Sequence, residues 1–85
     1  MKLTKIDFER RLSAVLSEAS QRGDSYADVN AGNLHREVGI YPKRGHRMPT
    51  CCSVMRGERR SDDVVLQQPL KGNGASLTIR YRLPR

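Results

Sequence analysis

The chain has 85 residues and a mass of 9.6 kDa, which is the size of one small domain, and we treat residues 1–85 as a single unit. It carries 16 Lys and Arg against 9 Asp and Glu, so its formal net charge is +7, and 36% of its residues are apolar. This content of periodic apolar residues excludes a disordered basic tail, and so small a core leaves little volume for an enclosed active site. We therefore expect neither an enzyme nor a cofactor.

No apolar run approaches the ~18 residues of a membrane span, and none follows the N-terminal Met-Lys as a signal peptide requires. We therefore expect a cytoplasmic protein without a membrane partner.

The charge is unevenly distributed along the chain. Residues 1–42 contain six basic and six acidic residues, whereas residues 43–85 contain ten basic and three acidic ones. The second half thus carries the whole excess, which favours a scaffold that presents a basic face to a polyanion. The alternative is a solvated basic surface with no specific partner.

The first predicted element is a helix. Thr4 and Asp7 have the spacing of a capping box, and Gly23 is a typical C-terminal stop. The apolar residues between them recur at helical spacing and predict one buried side: Phe8, Leu12, Val15, Leu16 and Ala19.

A short strand or extended connector is predicted at residues 26–29, followed by a second helix. Asn30 is a suitable N-cap for this helix, and Gly39 marks its end. We expect His35, on this helix, to be exposed or half-buried. Residues 40–45 contain Pro42 and Gly45 and predict a turn.

A third helix is predicted from about residue 47 to residue 59. Its expected buried stripe has the spacing i, i+3, i+4, i+7 and consists of Met48, Cys51, Cys52 and Met55. The opposite side carries small, hydrogen-bonding and basic residues: His46, Arg47, Thr50, Ser53, Val54, Gly57 and Arg60.

The period then changes to two, which predicts strands at residues 64–67 and 76–83. In the second strand Leu77, Ile79, Tyr81 and Leu83 alternate with polar residues, so we expect one buried face. The intervening loop has the tip Lys71-Gly72-Asn73-Gly74, a hairpin-turn signal with a basic residue, and it lacks the pattern of a phosphate-binding glycine loop.

The two cysteines are adjacent, which excludes a disulfide framework and agrees with a reducing compartment. Together with His35 and His46 they suggest a zinc site, but structural zinc sites use separated cysteine pairs. Cys51 and Cys52 fit the apolar stripe, so we interpret both as core residues and expect no metal site and no cysteine nucleophile.

The order helix, short strand, helix, turn, helix, hairpin resembles the winged helix-turn-helix superfamily of DNA-binding proteins over nearly the whole chain, from Thr4 to Leu83. The connection at residues 40–46 is longer than the compact turn of the simplest members. The resemblance implies an α+β fold of three helices and a C-terminal two-stranded β-hairpin, the wing.

The resemblance also implies that the third helix enters the major groove and that the wing contacts the neighbouring backbone. Its base-contacting positions would be Arg47, Thr50, Ser53 and Val54. Its phosphate-contacting positions would be Lys43, Arg44, Arg60, Lys71, Arg80 and Arg82.

We accordingly expect a small protein that binds double-stranded DNA, either a transcriptional regulator or an accessory of a mobile-element or restriction-like system. One such domain contacts little DNA, so a homodimer or a larger protein partner is expected as well. The alternative is a winged-helix protein-interaction module that docks an acidic partner. RNA binding is less favoured because stacking aromatic residues are few.

Overall fold

The computed structural model describes residues 4–38, 48–70 and 74–85, and these form a small α+β domain. The elements in chain order are α1 (Lys5–Gln21), β1 (Tyr26–Asn30), α2 (Ala31–Val38), α3 (Met48–Glu58), β2 (Val64–Gln67) and β3 (Thr78–Arg82). The three helices and the strands at residues 64–67 and 78–82 confirm the predicted elements. Within the described ranges, no helix has the length and apolar character that a membrane crossing requires.

Helix α1 begins and ends where the sequence predicts. The Asp7 carboxylate accepts hydrogen bonds from the Thr4 backbone N–H at 2.8 Å and from the Thr4 hydroxyl at 3.1 Å, which ties the residue before the helix to its first turn. After the helix, Gly23 has φ +87°, a backbone conformation that favours glycine and turns the chain towards β1. The buried side of α1 consists of Phe8, Leu12, Leu16 and Ala19.

The sheet has three antiparallel strands in the order β1-β3-β2, with β3 in the centre. Tyr26 lies opposite Arg82 and Asn30 lies opposite Thr78, so β1 pairs with β3 along its whole length. Of the two alternatives predicted for residues 26–29, a short strand or an extended connector, the strand is confirmed, and it adds a third strand to the predicted two-stranded hairpin. Four residues were too few to show a period, whereas the pairing with β3 makes residues 26–30 a full strand.

The core lies between the helices and one face of the sheet. On β3, Ile79 and Tyr81 are buried, together with the flanking Leu77 and Leu83, which confirms the predicted alternation. The Tyr81 hydroxyl donates a hydrogen bond to the Met55 carbonyl oxygen at 2.7 Å and so ties the sheet to α3. The opposite face of the sheet carries polar and partly exposed side chains.

Helix α2 is capped by Asn30, whose Oδ1 accepts a hydrogen bond from the Asn33 N–H at 3.1 Å, as predicted. The expectation that His35 is exposed or half-buried is wrong, since only 3% of it is exposed. Its ring centroid lies 5.5 Å from that of Phe8, which places His35 between α1 and α2. The predicted end of the helix at Gly39 and the predicted turn at residues 40–45 lie outside the described residues.

Candidate nucleic-acid interface

Helix α3 is held by contacts to two other elements. The Cys51 Sγ donates a hydrogen bond to the Ala31 carbonyl oxygen, and the Cys52 Sγ donates one to the Gly74 carbonyl oxygen, both at 3.5 Å. The first contact joins α3 to the start of α2, and the second joins it to Gly74, in the loop between β2 and β3. The buried side of the first half of α3 therefore contacts the last residue of the predicted wing tip.

Both cysteines are buried free thiols, as the sequence predicts. Burial raises the pKa of Cys51 to about 12, and the neighbouring Cys52 adds to the shift, so the Cys51 thiol is protonated at neutral pH. Within the described ranges no three His, Cys, Asp or Glu residues are grouped so that they could hold a metal ion. His46, part of the zinc interpretation, lies outside those ranges.

The four predicted base-contacting positions have different environments. Ser53 is exposed and Thr50 is half-buried, so both lie on the outward side of α3, while Arg47 lies outside the described residues. Val54 is only 5% exposed and belongs to the core, so its predicted place on the outward side is wrong. It is three residues after Cys51, which puts it about 60° from that buried position around the helix axis.

The outward side of α3 also presents Gly57, which the sequence placed there, and two arginines that the sequence interpretation missed. Arg56 and Gly57 are exposed on the helix, and Arg59 is exposed just after its end. Arg56 follows Ser53 by three residues, the spacing of neighbours on a helical surface, so a helical projection centred on Ser53 would have found it. These residues extend the outward face of α3 towards Arg60.

Three predicted phosphate contacts, Lys43, Arg44 and Lys71, lie outside the described residues. A fourth, Arg80, already has a partner. Its guanidinium group donates two hydrogen bonds to the Asp28 carboxylate, at 2.8 and 3.0 Å, and lies 4.2 Å from the centre of the Tyr26 ring. This arrangement lies on the sheet face turned away from the helices, so Arg80 is a poor candidate for phosphate binding beside α3.

Arg60 and Arg82 are both exposed, and one carboxylate brings their backbones together. The Asp63 Oδ2 accepts a hydrogen bond from the Arg60 N–H at 2.6 Å, and the Asp63 Oδ1 accepts one from the Arg82 N–H at 2.7 Å. Within the described part of the chain, neither guanidinium group forms an ion pair. Asp63 therefore holds the backbones of Arg60 and Arg82 together just beyond the end of α3, while the Arg82 side chain lies on the same face of the sheet as Arg80.

The Asp63 carboxylate is itself buried against Arg85, a pair that the sequence did not predict. An Nη2–Oδ2 distance of 2.8 Å joins them, and the side chains are 0% and 4% exposed. Burial would raise the pKa of Asp63, but hydrogen bonds from Arg85 and from the Arg82 and Arg60 N–H groups outweigh it and lower the pKa below its usual range.

Arg85 joins further segments at this point. It donates a hydrogen bond to the Glu58 carbonyl oxygen at the end of α3, and its backbone N–H donates one to Ser20 Oγ on α1 at 2.8 Å. A cation at the C-terminal end of a helix is favourable both for the free carbonyl and for the helix dipole. Arg85 is thus a structural arginine.

The predicted contacts therefore do not all lie together. Cys52 and Gly74 place the first half of α3 near the wing end of the sheet, whereas Arg82 lies four residues along β3 from Thr78, about 13 Å away. The backbones of Arg60 and Arg82 lie near the end of α3. The described interface is a strip along α3, from Thr50 and Ser53 to the arginines beyond its end.

Comparison of the chain with protein-family models, with curated proteins and with solved structures finds no match.

Proposed function

We propose that this chain is a winged helix-turn-helix domain that binds double-stranded DNA, with the outward side of α3 in the major groove. It would serve as a small transcriptional regulator or as the DNA-binding accessory of a mobile-element or restriction-like system. The observation that carries the proposal is the exposed strip on α3, a helix whose buried side contacts Gly74 of the β2–β3 loop and which is followed by exposed arginines.

The arrangement of elements supports this proposal. Three helices pack on one face of an antiparallel sheet, and the last two strands are joined by a loop that contacts α3 through Cys52 and Gly74. In a winged-helix protein the third helix and the hairpin loop are the parts that reach DNA. Here α3 and the loop between the last two strands are in contact, which supports the proposal.

The chemistry of the strip also supports it. Ser53 and Thr50 can donate and accept hydrogen bonds at base edges, and Gly57 lets a backbone approach closely because no atom outside the helix lies within 4 Å of its added Cβ position. The first carboxylate in α3 is Glu58, whose Oε2 lies 3.5 Å from Arg85 Nε, so its charge is partly neutralised.

Affinity would come mainly from phosphate contacts, with release of the condensed counterions. Arg59 and Arg60 are the described residues best placed for this, beyond the end of α3, and Asp63 joins the backbone of Arg82 to that of Arg60. Each phosphate contact adds about 0.9 to the slope of log affinity against log salt.

The test is a charge reversal in the strip. Ser53→Glu places a carboxylate where DNA phosphates and base acceptors would lie, so we expect affinity for a labelled random-sequence duplex to fall by about tenfold or more, as measured by fluorescence anisotropy. Ser13→Glu is the matched control, because Ser13 is an exposed serine on α1 and the substitution changes the net charge by the same amount.

The difference between these two variants isolates the local effect from the change in net charge. A Ser53→Glu loss no larger than that of Ser13→Glu would refute the assignment of α3 to the interface. Amide chemical shifts provide an independent check, since duplex addition should perturb residues 48–60 and leave α1 unperturbed.

A further inference from the structure

A cavity opens at one end of the sheet, where β1 begins and β3 ends. Its volume is about 380 Å³, which is within the range of small-ligand sites. Residues from β1, from β3 and from the segments next to the strands line it: Ser25, Tyr26, Asp62, Arg80, Arg82 and Leu83. None of these six residues belongs to α3, so the cavity is separate from the outward side of that helix.

Tyr26 supplies an aromatic wall of this cavity. It is 49% exposed, and the Arg80 guanidinium group lies 4.2 Å from the centre of its ring. The Asp28 carboxylate accepts two hydrogen bonds from that guanidinium group, so the cation over the ring is held in place and its charge is neutralised. The exposed part of the ring is a flat surface on which a nucleobase can stack.

Two opposite charges also line the cavity. Arg82 lies opposite Tyr26 in the pairing of β1 with β3, so their side chains are neighbours on one face of the sheet. The Arg82 guanidinium group and the Asp62 carboxylate are exposed, and neither forms an ion pair or a hydrogen bond with a residue that the structure describes. A ligand that meets both groups carries an anion for Arg82 and N–H donors for Asp62.

Backbone hydrogen bonds hold these groups in position. Asp63, which follows Asp62, accepts a hydrogen bond from the Arg82 N–H at 2.7 Å, and this fixes the turn before β2 beside β3. The Leu83 N–H donates to the Ser25 carbonyl oxygen at 2.9 Å, which keeps the ends of β1 and β3 together. The lining residues therefore stand on ordered backbone, and little ordering entropy opposes binding.

We propose that this cavity binds an unpaired guanine nucleotide, with the base stacked on Tyr26, its Watson–Crick edge bonded to Asp62 and its phosphate bonded to Arg82. Guanine presents two adjacent N–H donors on this edge, and these match the two acceptor oxygens of one carboxylate. The other bases place an acceptor beside their donor, and a carboxylate repels that acceptor. The arrangement therefore selects guanine.

A duplex does not supply this ligand, because its guanines already pair through the same edge. The ligand is either free guanosine monophosphate or an unpaired guanine in a single strand, which share the base and the phosphate. Both are anions, so the net charge of +7 favours their association with the chain. The inference therefore goes beyond the proposed binding of duplex DNA and uses a different ligand.

The first measurement follows amide chemical shifts of the full chain during titration with guanosine monophosphate. We expect shifts at residues 25–26, 62 and 80–83, with an affinity in the millimolar range because the ligand is small and the cavity is open. Inosine monophosphate lacks only the amino group of guanine and should bind about fivefold more weakly, because one hydrogen bond to Asp62 is lost.

Short single strands distinguish the two sources of the ligand. A strand of thymines with one guanine should bind more tightly than an all-thymine strand. Tighter binding of this strand than of guanosine monophosphate identifies single-stranded nucleic acid as the source, and equal binding identifies the free nucleotide. Either result supports the proposed chemistry, whereas no preference for guanine among the nucleotides or among the strands would overturn it.

Asp62→Asn tests the recognition of the base. It replaces one acceptor oxygen by a donor, so the preference for guanosine over inosine monophosphate should be lost. Glu18→Gln is the matched control, because Glu18 is an exposed carboxylate on α1 and the net charge changes by the same amount. An Asp62→Asn variant that keeps the wild-type preference would refute the role of this carboxylate.

Tyr26→Val tests the stacking surface. Valine keeps strand propensity but removes the ring, so both nucleotides should bind about tenfold more weakly. Arg82 is left out of the test because it is also a candidate contact for duplex DNA. Ser53→Glu, which tests duplex binding, should leave the binding of guanosine monophosphate unchanged, so failure of one proposal is distinguishable from failure of the other.

Discussion

Two arginine–carboxylate pairs in this domain have similar geometry and different surroundings. Asp63 and Arg85 are joined at 2.8 Å with side chains 0% and 4% exposed, whereas Asp28 and Arg80 are joined at 2.8 Å with side chains 38% and 42% exposed. The first pair connects the end of α3, the turn before β2 and the end of β3. The second joins only two neighbouring strands on the open face of the sheet.

The difference shows that net charge is a poor measure of the charge that is available to a polyanion. Residues 43–85 contain ten basic residues, but Arg85 is buried in the fold and Arg80 is bound to Asp28. Arg59, Arg60 and Arg82 remain exposed beyond α3. A structural arginine and a phosphate-binding arginine should therefore respond differently to the same substitution.

The largest expected effect comes from breaking the buried pair. Asp63→Ala leaves the Arg85 guanidinium group buried without its main partner and removes the acceptor of the Arg60 and Arg82 N–H groups. We expect a loss of about 3–5 kcal/mol in the free energy of unfolding, measured by urea denaturation. For so small a domain this is a large part of the total stability.

Replacement of both partners by apolar residues, Asp63→Leu with Arg85→Met, tests whether the unpaired Arg85 charge causes this loss of stability. It removes the unpaired charge but not the unsatisfied backbone N–H groups, so the double variant should recover part of the loss. A loss below about 1 kcal/mol for Asp63→Ala would contradict the structural role of the pair, because exposed ion pairs contribute no more than this to the free energy of unfolding.

The pH dependence of stability provides the next test. The pKa of Asp63 is lowered in the folded state, so its contribution to stability is present above the unfolded-state value of ~3.9 and is lost as the pH falls through the folded value. We expect the stability gap between the wild type and Asp63→Asn to be constant above about pH 5 and to close below about pH 4. A gap that stays constant to about pH 2 would mean that the carboxylate charge is not what stabilises the fold.

The sequence predicted the helices and the last two strands because local signals mark them. The capping box of Thr4 and Asp7 and the alternation around Ile79 are short-range patterns, and both are present in the structure. The role of β1 was underestimated because a strand of five residues is defined by its partner. Pairing with β3 across some fifty residues of chain has no local signature.

The candidate site was less predictable than the fold. The outward position of Ser53 followed from helical spacing, but Val54 is buried because the core contact of α3 is wider than its most apolar stripe. The partners of Arg80 and Arg85 are Asp28 and Asp63, which lie 52 and 22 positions away in the chain. No pattern in a single sequence tells a paired arginine from a free one at such separations.

The smallest expected effect distinguishes two arginines on the same strand. Arg82→Gln removes an exposed cation, so it should weaken binding to all duplex sequences and reduce the slope of log affinity against log salt by about 1. Arg80→Gln removes the same charge from a pair with Asp28, and this leaves the Asp28 carboxylate in place of a neutral pair.

If only the net charge matters, the two variants lose affinity equally. If the ion pair matters, Arg80→Gln lowers affinity less and keeps the wild-type salt slope, because the Arg80 guanidinium group is already bound to Asp28. Both substitutions are on β3 and change the net charge by one unit, so each serves as the control for the other. Equal slopes for the two variants would show that the strip along α3 does not extend to Arg82.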